Sequence, residues 1–233
     1  MDLVSFVIPA HNEARFIAAC VRSIRETCAG LGIAHEIIVV DDASTDGTGD
    51  IAREEGTTVV DVELRHIAAV RNAGARLASG DRLVFVDADS RIDVPLLGAA
   101  MAALDQGYVG GGGGVRFEEE VPWWASVVLW LVVHVMRLGN WAAGSFVFCT
   151  RAAFEAVGGF SEEYFAGEEI YTSKKLKTQG RFIVLRETIV TSARKVHGRG
   201  FWELNAINLK LLLRGPRGLK RRENLDFWYR DRR

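Results

Sequence analysis

Short apolar runs and longer stretches of helical spacing alternate from the start of the chain. Leu3–Ile8 reads as a buried strand, broken by Pro9-Ala10-His11-Asn12-Glu13 before an amphipathic helix to about Thr27. Glu36–Val40 is a second strand ending in Asp41-Asp42, and the loop and cap formers Ala43-Ser44-Thr45-Asp46-Gly47 lead into a helix to about Glu55. Thr57–Val62 predicts a third strand and Ile67–Ala78 a helix carrying Arg71-Asn72. Leu83–Val86 predicts a fourth strand, which stops at Asp87-Ala88-Asp89. This alternation is the pattern of an α/β domain, a mostly parallel central sheet flanked by helices with right-handed crossovers. Parallel strands end on one edge, so His11, Asp42 and Asp89 are expected along one crevice, where open α/β sheets bind ligands.

The strand end at Asp87 and Asp89 carries the first candidate chemistry. If the chain stays extended past Val86, the period of two puts both carboxylates on one side, as hard oxygen ligands for Mg2+ or Mn2+. The structural alternative is an acidic turn capping the next helix. Asp41-Asp42 has the same two readings, binding or helix-capping. The Gly110–Gly114 run lacks the Lys-Ser/Thr that follows a P-loop, and reads as flexible or closely packed backbone. Between Pro122 and Arg137 an apolar segment with Trp123, Trp124 and Trp130 is too short to cross a bilayer, which takes about twenty apolar residues. Its tryptophans and Arg137 suit a membrane interface or an acceptor pocket; a buried helix and a contact between two copies are equal alternatives.

Composition narrows the class. Of 233 residues, 48% are apolar and 25% charged, as in a globular domain, and the net charge of −1 argues against a general nucleic-acid binder. The charge is uneven: Arg194–Arg233 holds twelve Lys and Arg against four Asp and Glu, an excess of eight, so this tail would favour an anionic surface or be simply solvated. Cys20, Cys28 and Cys149 have no metal-ligand spacing and suggest core positions in a reduced compartment. The chain opens without signal-peptide features, so a cytoplasmic location is expected, with peripheral contact on the inner face of the membrane if the tryptophan segment meets lipid.

Several linked motifs give a more specific expectation. Ser5–Glu13, Ile38–Thr48, Arg71-Asn72-Ala73-Gly74 and Val86–Asp89, then Gly144-Ser145-Phe146, Arg151–Phe160 and Gly167-Glu168-Glu169, resemble the family-2 glycosyltransferases in order and spacing over roughly the first 180 residues. The resemblance implies the GT-A (nucleotide-diphospho-sugar transferase) fold over residues 1–193, with a nucleotide-binding half to about 92, an acceptor-binding half from about 93, and a basic C-terminal helix and tail at 194–233.

It implies nucleotide-sugar binding by Pro9, Ala10, His11 and Glu13, with Asp42 accepting a hydrogen bond from the base, most often uracil. Arg71 would reach a phosphate, the alternative being a helix-surface arginine, and Asn72 and Gly74 would shape a turn. Asp87, Ala88 and Asp89 would contact the donor, with Asp89 and Asp87 holding Mn2+ or Mg2+. His197 is a further metal ligand in some enzymes of this fold; a solvated or phosphate-bound histidine is the alternative, with Arg194 and Lys195 clamping the diphosphate. Glu169 aligns with the family's usual aspartate and is assigned general base of an inverting transfer. Glutamate is one methylene longer, a shift of about 1.5 Å on which catalytic geometry depends, so Glu168 stays an alternative. A plain charge-complemented helix N-terminus is the structural one.

The implied activity is non-processive, because no Gln-x-x-Arg-Trp element occurs. It moves a sugar, from a UDP-sugar by preference, to a hydroxyl of a lipid-linked carrier, a glycan or a small metabolite. Sugar nucleotidyltransfer is disfavoured without a Gly-rich basic loop after the first strand, and dinucleotide oxidoreduction without G-x-G-x-x-G there. A non-catalytic nucleotide-sugar or partner-binding module is the rival from a different class.

Overall fold

The computed structural model describes residues 3–118, 122–142, 145–164 and 167–192. Its elements run β1 (Val4–Ala10), α1 (Ile17–Leu31), β2 (His35–Asp42), α2 (Thr48–Glu54), β3 (Thr58–Val62), α3 (Ile67–Leu77), β4 (Arg82–Val86) and β5 (Ser90–Arg91). Then follow α4 (Val94–Asp105), β6 (Tyr108–Phe117), α5 (Trp123–Gly139), β7 (Phe146–Thr150), α6 (Arg151–Ala156), α7 (Glu168–Leu176) and β8 (Arg181–Thr191). They form one eight-stranded sheet in the order β3-β2-β1-β4-β7-β6-β8-β5. β1 is parallel to both β2 and β4, and β2 to β3, as the βα alternation predicts. Beyond β4 the sheet is mixed: β7 runs antiparallel to β4 and β6, and β6 is parallel to β8.

The period of two in β1 sorts side chains to two cores. Phe6 and Ile8 pack with α1 and α4 on one face, while Val7 packs with α3, α6 and α7 on the other. Ser5, the polar interruption of that run, is fully buried; its hydroxyl donates to Glu36 Oε1 (2.6 Å) and accepts from the Gly80 amide (2.8 Å). Pro9 lies past the end of the β1–β4 ladder, flanked only by β2, a position where a strand proline is tolerated.

Of the two readings of Gly110–Gly114, closely packed backbone holds and a flexible segment does not: the run is the buried middle of β6. A Cβ on Gly111 would overlap the Ile183 carbonyl oxygen and lie 2.5 Å from Phe148 Cζ, and one on Gly112 would lie 2.6 Å from Ala142 Cβ. Glycine is required there by close approach of neighbouring chains. Gly74 is likewise helical: in α3 its missing side chain lets the helix rest on Val7 and Val40. Asn72, in the same helix, bonds the Phe160 amide and carbonyl, both at 2.9 Å. Neither shapes a turn.

Among the described residues no helix is long and apolar enough to cross a membrane. Residues 193–233, and with them Arg194, Lys195, His197 and the basic tail, lie outside the described residues, as does Gly144.

Gly111→Ala is expected to destabilise the fold by about 1–3 kcal/mol through overpacking. Gly98→Ala in α4, where the nearest atom is 3.9 Å from a built Cβ, should be neutral or stabilising by up to about 1 kcal/mol. Denaturant unfolding of both variants checks the pair; equal midpoints would show that β6 is not the tight seam described.

Candidate active site

The loops after β1 and β2 are tied together side by side. The Asn12 amide donates to Ser44 Oγ (2.9 Å), the Thr45 amide to Asn12 Oδ1 (2.8 Å), the Glu13 amide to Thr48 Oγ1 (2.8 Å) and the Ala14 amide to Asp46 Oδ2 (3.0 Å). Asn12 and Ala43 hold left-handed backbone, φ 54° and 57°, a strained conformation for alanine that this bonding sustains. His11 Nδ1 donates to the Asp42 carbonyl at 2.5 Å, and its Nε2 accepts from the Asn12 amide group at 3.2 Å. His11 and Asp42 thus meet at the sheet edge.

Asp42 is buried. Its Oδ1 accepts from the Leu64 and Arg65 amides at 2.7 and 2.9 Å, while Oδ2 is buried without a hydrogen-bond partner among the described residues. A carboxylate oxygen left so is an acceptor awaiting a donor. Asp41 instead accepts from the Ser44 amide (3.1 Å) as part of the turn.

The chain does not stay extended past Val86. The Ser90 amide donates to the Asp87 carbonyl at 3.0 Å, closing a turn, so the two carboxylates are set by that turn and not by strand alternation. Asp87 and Asp89 are both half-buried and Ala88 is buried between them. Asp89 Oδ1 accepts long bonds from the Ser90 hydroxyl (3.5 Å) and the Thr191 hydroxyl (3.4 Å). No group of three or more metal-ligating side chains occurs among the described residues. Two hard carboxylates nevertheless suit Mg2+ or Mn2+, which take one or two carboxylates and complete their shell with substrate phosphate and water.

Arg71 is neither a helix-surface arginine nor open to solvent; it is only 2% exposed. One end of its guanidinium, Nη2, donates to Asp87 Oδ1 at 2.9 Å and the other, Nη1, to Glu168 Oε1 at 2.5 Å. Its Cζ lies 5.3 Å from the centre of the Phe160 ring, whose backbone Asn72 holds in place. Burial alone would weaken the hold of Arg71 on its proton, but Asp87, Glu168 and Glu169 raise it above its ordinary value.

Glu168 and Glu169 open α7 after Gly167, whose φ is 70°. Glu168 is buried in the pair with Arg71, whereas Glu169 is half-buried and outside that ion pair. Burial and then the Glu168 charge push the Glu169 carboxyl well above the ordinary carboxylate range, against the pull of Arg71. The Arg71 bridge was not foreseen. Its one signal in the sequence is a cation among the small residues Ala68, Ala69, Ala73 and Gly74 of a sheet-facing helix.

Arg71→Met would leave two carboxylates without their cation, at an expected cost of roughly 3–5 kcal/mol. A folded carboxyl with a raised pKa disfavours folding increasingly as pH climbs from its unfolded value to its folded one. Glu169 is such a group and would lose the attraction of Arg71, so the deficit should widen with rising pH. Chemical denaturation across pH reads this; a deficit independent of pH would contradict it.

The Glycosyl transferase family 2 profile matches residues 5–157. The undecaprenyl-phosphate 4-deoxy-4-formamido-L-arabinose transferase of Aeromonas hydrophila is 33% identical over 117 residues, 46% of this chain and 35% of that protein. Glycosyltransferase AglE of Haloferax volcanii is 34% identical over 95 residues, 38% of this chain and 31% of that protein. The chain therefore spans about a third of the length of these relatives. Mannosyltransferase PcManGT from Pyrobaculum calidifontis, solved with GDP-Man and Mn2+, superposes with a TM-score of 0.70 at 25% identity, over 88% of this chain and 60% of that one. TarS of S. aureus with UDP-GlcNAc shares the fold, with a TM-score of 0.65 at 20% identity over 83% and 59%. With two thirds of its sequence matched and its sheet superposing on GT-A enzymes, the chain belongs to glycosyltransferase family 2.

Proposed function

We propose that this domain is an inverting, non-processive transferase that moves a sugar from a nucleotide-diphosphate donor, a UDP-sugar by preference, to an acceptor hydroxyl. The observation that carries this reading is the Arg71 bridge, because a single guanidinium holds both Asp87 on the donor side and Glu168, next to Glu169, on the acceptor side. Donor phosphate and acceptor base would then be within one sugar's reach. Pro9, Ala10, His11 and Glu13 form the nucleotide side, and the unpartnered Oδ2 of Asp42 suits a base N–H. Asp89 and Asp87, with Ala88 between them, would hold Mn2+ or Mg2+, which when bound supplies Lewis-acid stabilisation of the charge on the diphosphate.

In this reading Arg71 positions Asp87 and Glu168 and does not contact phosphate. Glu168 is spent in that pair, so Glu169 takes the proton from the acceptor hydroxyl as its oxygen attacks the anomeric carbon opposite the nucleotide. The bond from that carbon to the phosphate oxygen breaks, its electrons remain on the diphosphate, and configuration inverts. The undecaprenyl-phosphate relatives favour a lipid-linked acceptor over a glycan or small metabolite; a lipid phosphate would attack through an oxygen that is already ionised, so the base role of Glu169 applies to an acceptor that offers a hydroxyl. Three free, buried cysteines support a reducing, cytoplasmic setting.

Glu169→Gln should keep donor binding and lower turnover by about 10²- to 10⁴-fold. The unmodified enzyme should gain rate as pH rises through neutrality, because Glu169 works only after losing its tightly held proton. Steady-state rates against pH check both. Unaltered turnover in the variant would remove Glu169 from the chemistry, as would an already ionised acceptor phosphate, which needs no base.

A thermal-shift panel of UDP-, GDP-, TDP- and CDP-sugars with and without Mn2+ tests the donor side, since a bound ligand raises apparent stability by mass action. A metal-dependent shift with the UDP-sugars, abolished in Asp89→Ala, is expected. Failure of every nucleotide to shift the melting point would favour a partner-binding module over an enzyme.

A further inference from the structure

The two carboxylates of the Asp87–Asp89 turn are held by different parts of the molecule. A carboxylate's last torsion is broad and roughly two-fold, so its direction is set by what bonds it. Arg71 bonds Asp87. Asp89 is bonded from the end of β8, 102 residues along the chain.

Thr191 closes that strand at a core position: Ile189, two residues earlier and on the same face, is fully buried, and Thr191 itself is 8% exposed. Valine has nearly the same shape, so packing alone gives no reason for a hydroxyl there. The hydroxyl is nevertheless engaged. Ser90, buried and directly opposite Thr191 in the β5–β8 pair, donates its hydroxyl to Thr191 Oγ1 at 3.0 Å, and Thr191 Oγ1 donates in turn to Asp89 Oδ1 at 3.4 Å. Opposed residues of an antiparallel pair project to one face, which is why the two hydroxyls meet. Thr191 Oγ1 is nearer to the single Ser90 hydroxyl proton than Asp89 Oδ1 is, at 3.0 against 3.5 Å, so the Thr191 proton is left to face the carboxylate.

The backbone around this relay is paired on every side. Thr191 lies between Ser90 of β5 and Phe117 of β6, and its carbonyl accepts from the Glu118 amide at 3.0 Å. Ser192 donates its amide to the Asp89 carbonyl at 3.2 Å. From the other side one face of α1 grips the turn: Cys20 Sγ donates to the Asp87 carbonyl (3.6 Å), Ser23 Oγ accepts from the Ile92 amide (3.3 Å), and Thr27 Oγ1 donates to the Ile92 carbonyl (3.5 Å). The bonds from α1 fix the backbone of the turn; the bond from Thr191 reaches the carboxylate.

We propose that Thr191, oriented by Ser90, is a positioning residue for the donor site, holding Asp89 by one oxygen in the direction that receives the divalent cation. The proposal rests on the metal role given to Asp89 above and adds the residue that gives this ligand a fixed direction. Mg2+ demands near-octahedral geometry, which a carboxylate rotating about its last torsion meets only part of the time. Groups that orient a metal's ligands from outside its coordination sphere carry about 10- to 100-fold of its affinity.

The test reads manganese itself: Mn2+ is titrated with the full chain in the presence of UDP, with GDP in parallel, and followed by electron paramagnetic resonance, beside melting points taken without metal or nucleotide. Thr191→Val should weaken Mn2+ binding about 10- to 100-fold while its metal-free melting point stays close to that of the unmodified chain. Thr191→Ser, which keeps the hydroxyl, should restore the affinity, and Ser90→Ala should weaken it by less than Thr191→Val. Should Thr191→Val lose its fold, Ser90→Ala decides, because it breaks the relay from the side of the turn and leaves Thr191 in place. Unchanged manganese affinity in Thr191→Val, or in Ser90→Ala where that variant decides, with affinity abolished in Asp89→Ala, would overturn the positioning role and leave the metal reading intact. Equal losses in Thr191→Val and Thr191→Ser would overturn it too, since the hydroxyl would not be the cause. An unmodified chain that binds no manganese with either nucleotide would sink the metal reading and this inference with it.

Discussion

A buried arginine between two carboxylates is the contact on which the arrangement of this site depends. Arg71 projects from α3, Asp87 from the turn after β4, and Glu168 from the first turn of α7, elements widely separated in sequence and drawn together by one guanidinium. Taking three charges from water is expensive, and the pairing is worthwhile only with good geometry and full hydrogen bonding. The planar, two-ended guanidinium provides that geometry where an ammonium would not. Phe160 completes the nest, itself held on both its amide and its carbonyl by Asn72, the residue after Arg71. The Arg-Asn dipeptide therefore couples the parallel half of the sheet to the mixed half.

The same contact explains the division of labour in the glutamate pair. Glu168, the first residue of α7, reaches Arg71 and is consumed in structure; Glu169 is left half-buried beside a neighbouring negative charge, in surroundings that favour a held proton. Two identical side chains thus differ in chemistry because one is in direct contact with the cation and the other is desolvated outside that ion pair. Asp42, at the end of β2, shows a related asymmetry within a single carboxylate. One oxygen accepts from two backbone amides and the other is buried without a hydrogen-bond partner among the described residues.

The first half of the fold was legible along the chain. Four short apolar runs separated by helical spacing correspond to β1–β4, with ends within two residues of those expected, because the buried parallel strands β1, β2 and β4 leave a local apolar signal and the half-exposed edge strand β3 keeps a β-branched one. The second half was not. β6 is built from five consecutive glycines, whose lack of side chains hides a strand that is demanded by contacts with Ile183, Phe148 and Ala142 from elsewhere in the chain. The turn after β4 misled for a related reason: alternation predicts facing carboxylates only while the backbone stays extended, and the bond from the Ser90 amide to the Asp87 carbonyl bends it.

The class of domain, the edge at which polar strand ends gather, and the charged residue types offered there are readable along the chain, because all of them follow from local periodicity and from contiguous motifs. Only the tertiary structure decided which of those residues are spoken for. Arg71 passes from a candidate phosphate ligand to the bridge between two carboxylates, Glu168 from a possible base to its partner, and Arg137 from a flanking charge to a tether on β8. The physical reason is common to all three. A charged side chain's role is set by whether burial and a partner distant in sequence claim it, and neither is encoded by its neighbours in the chain.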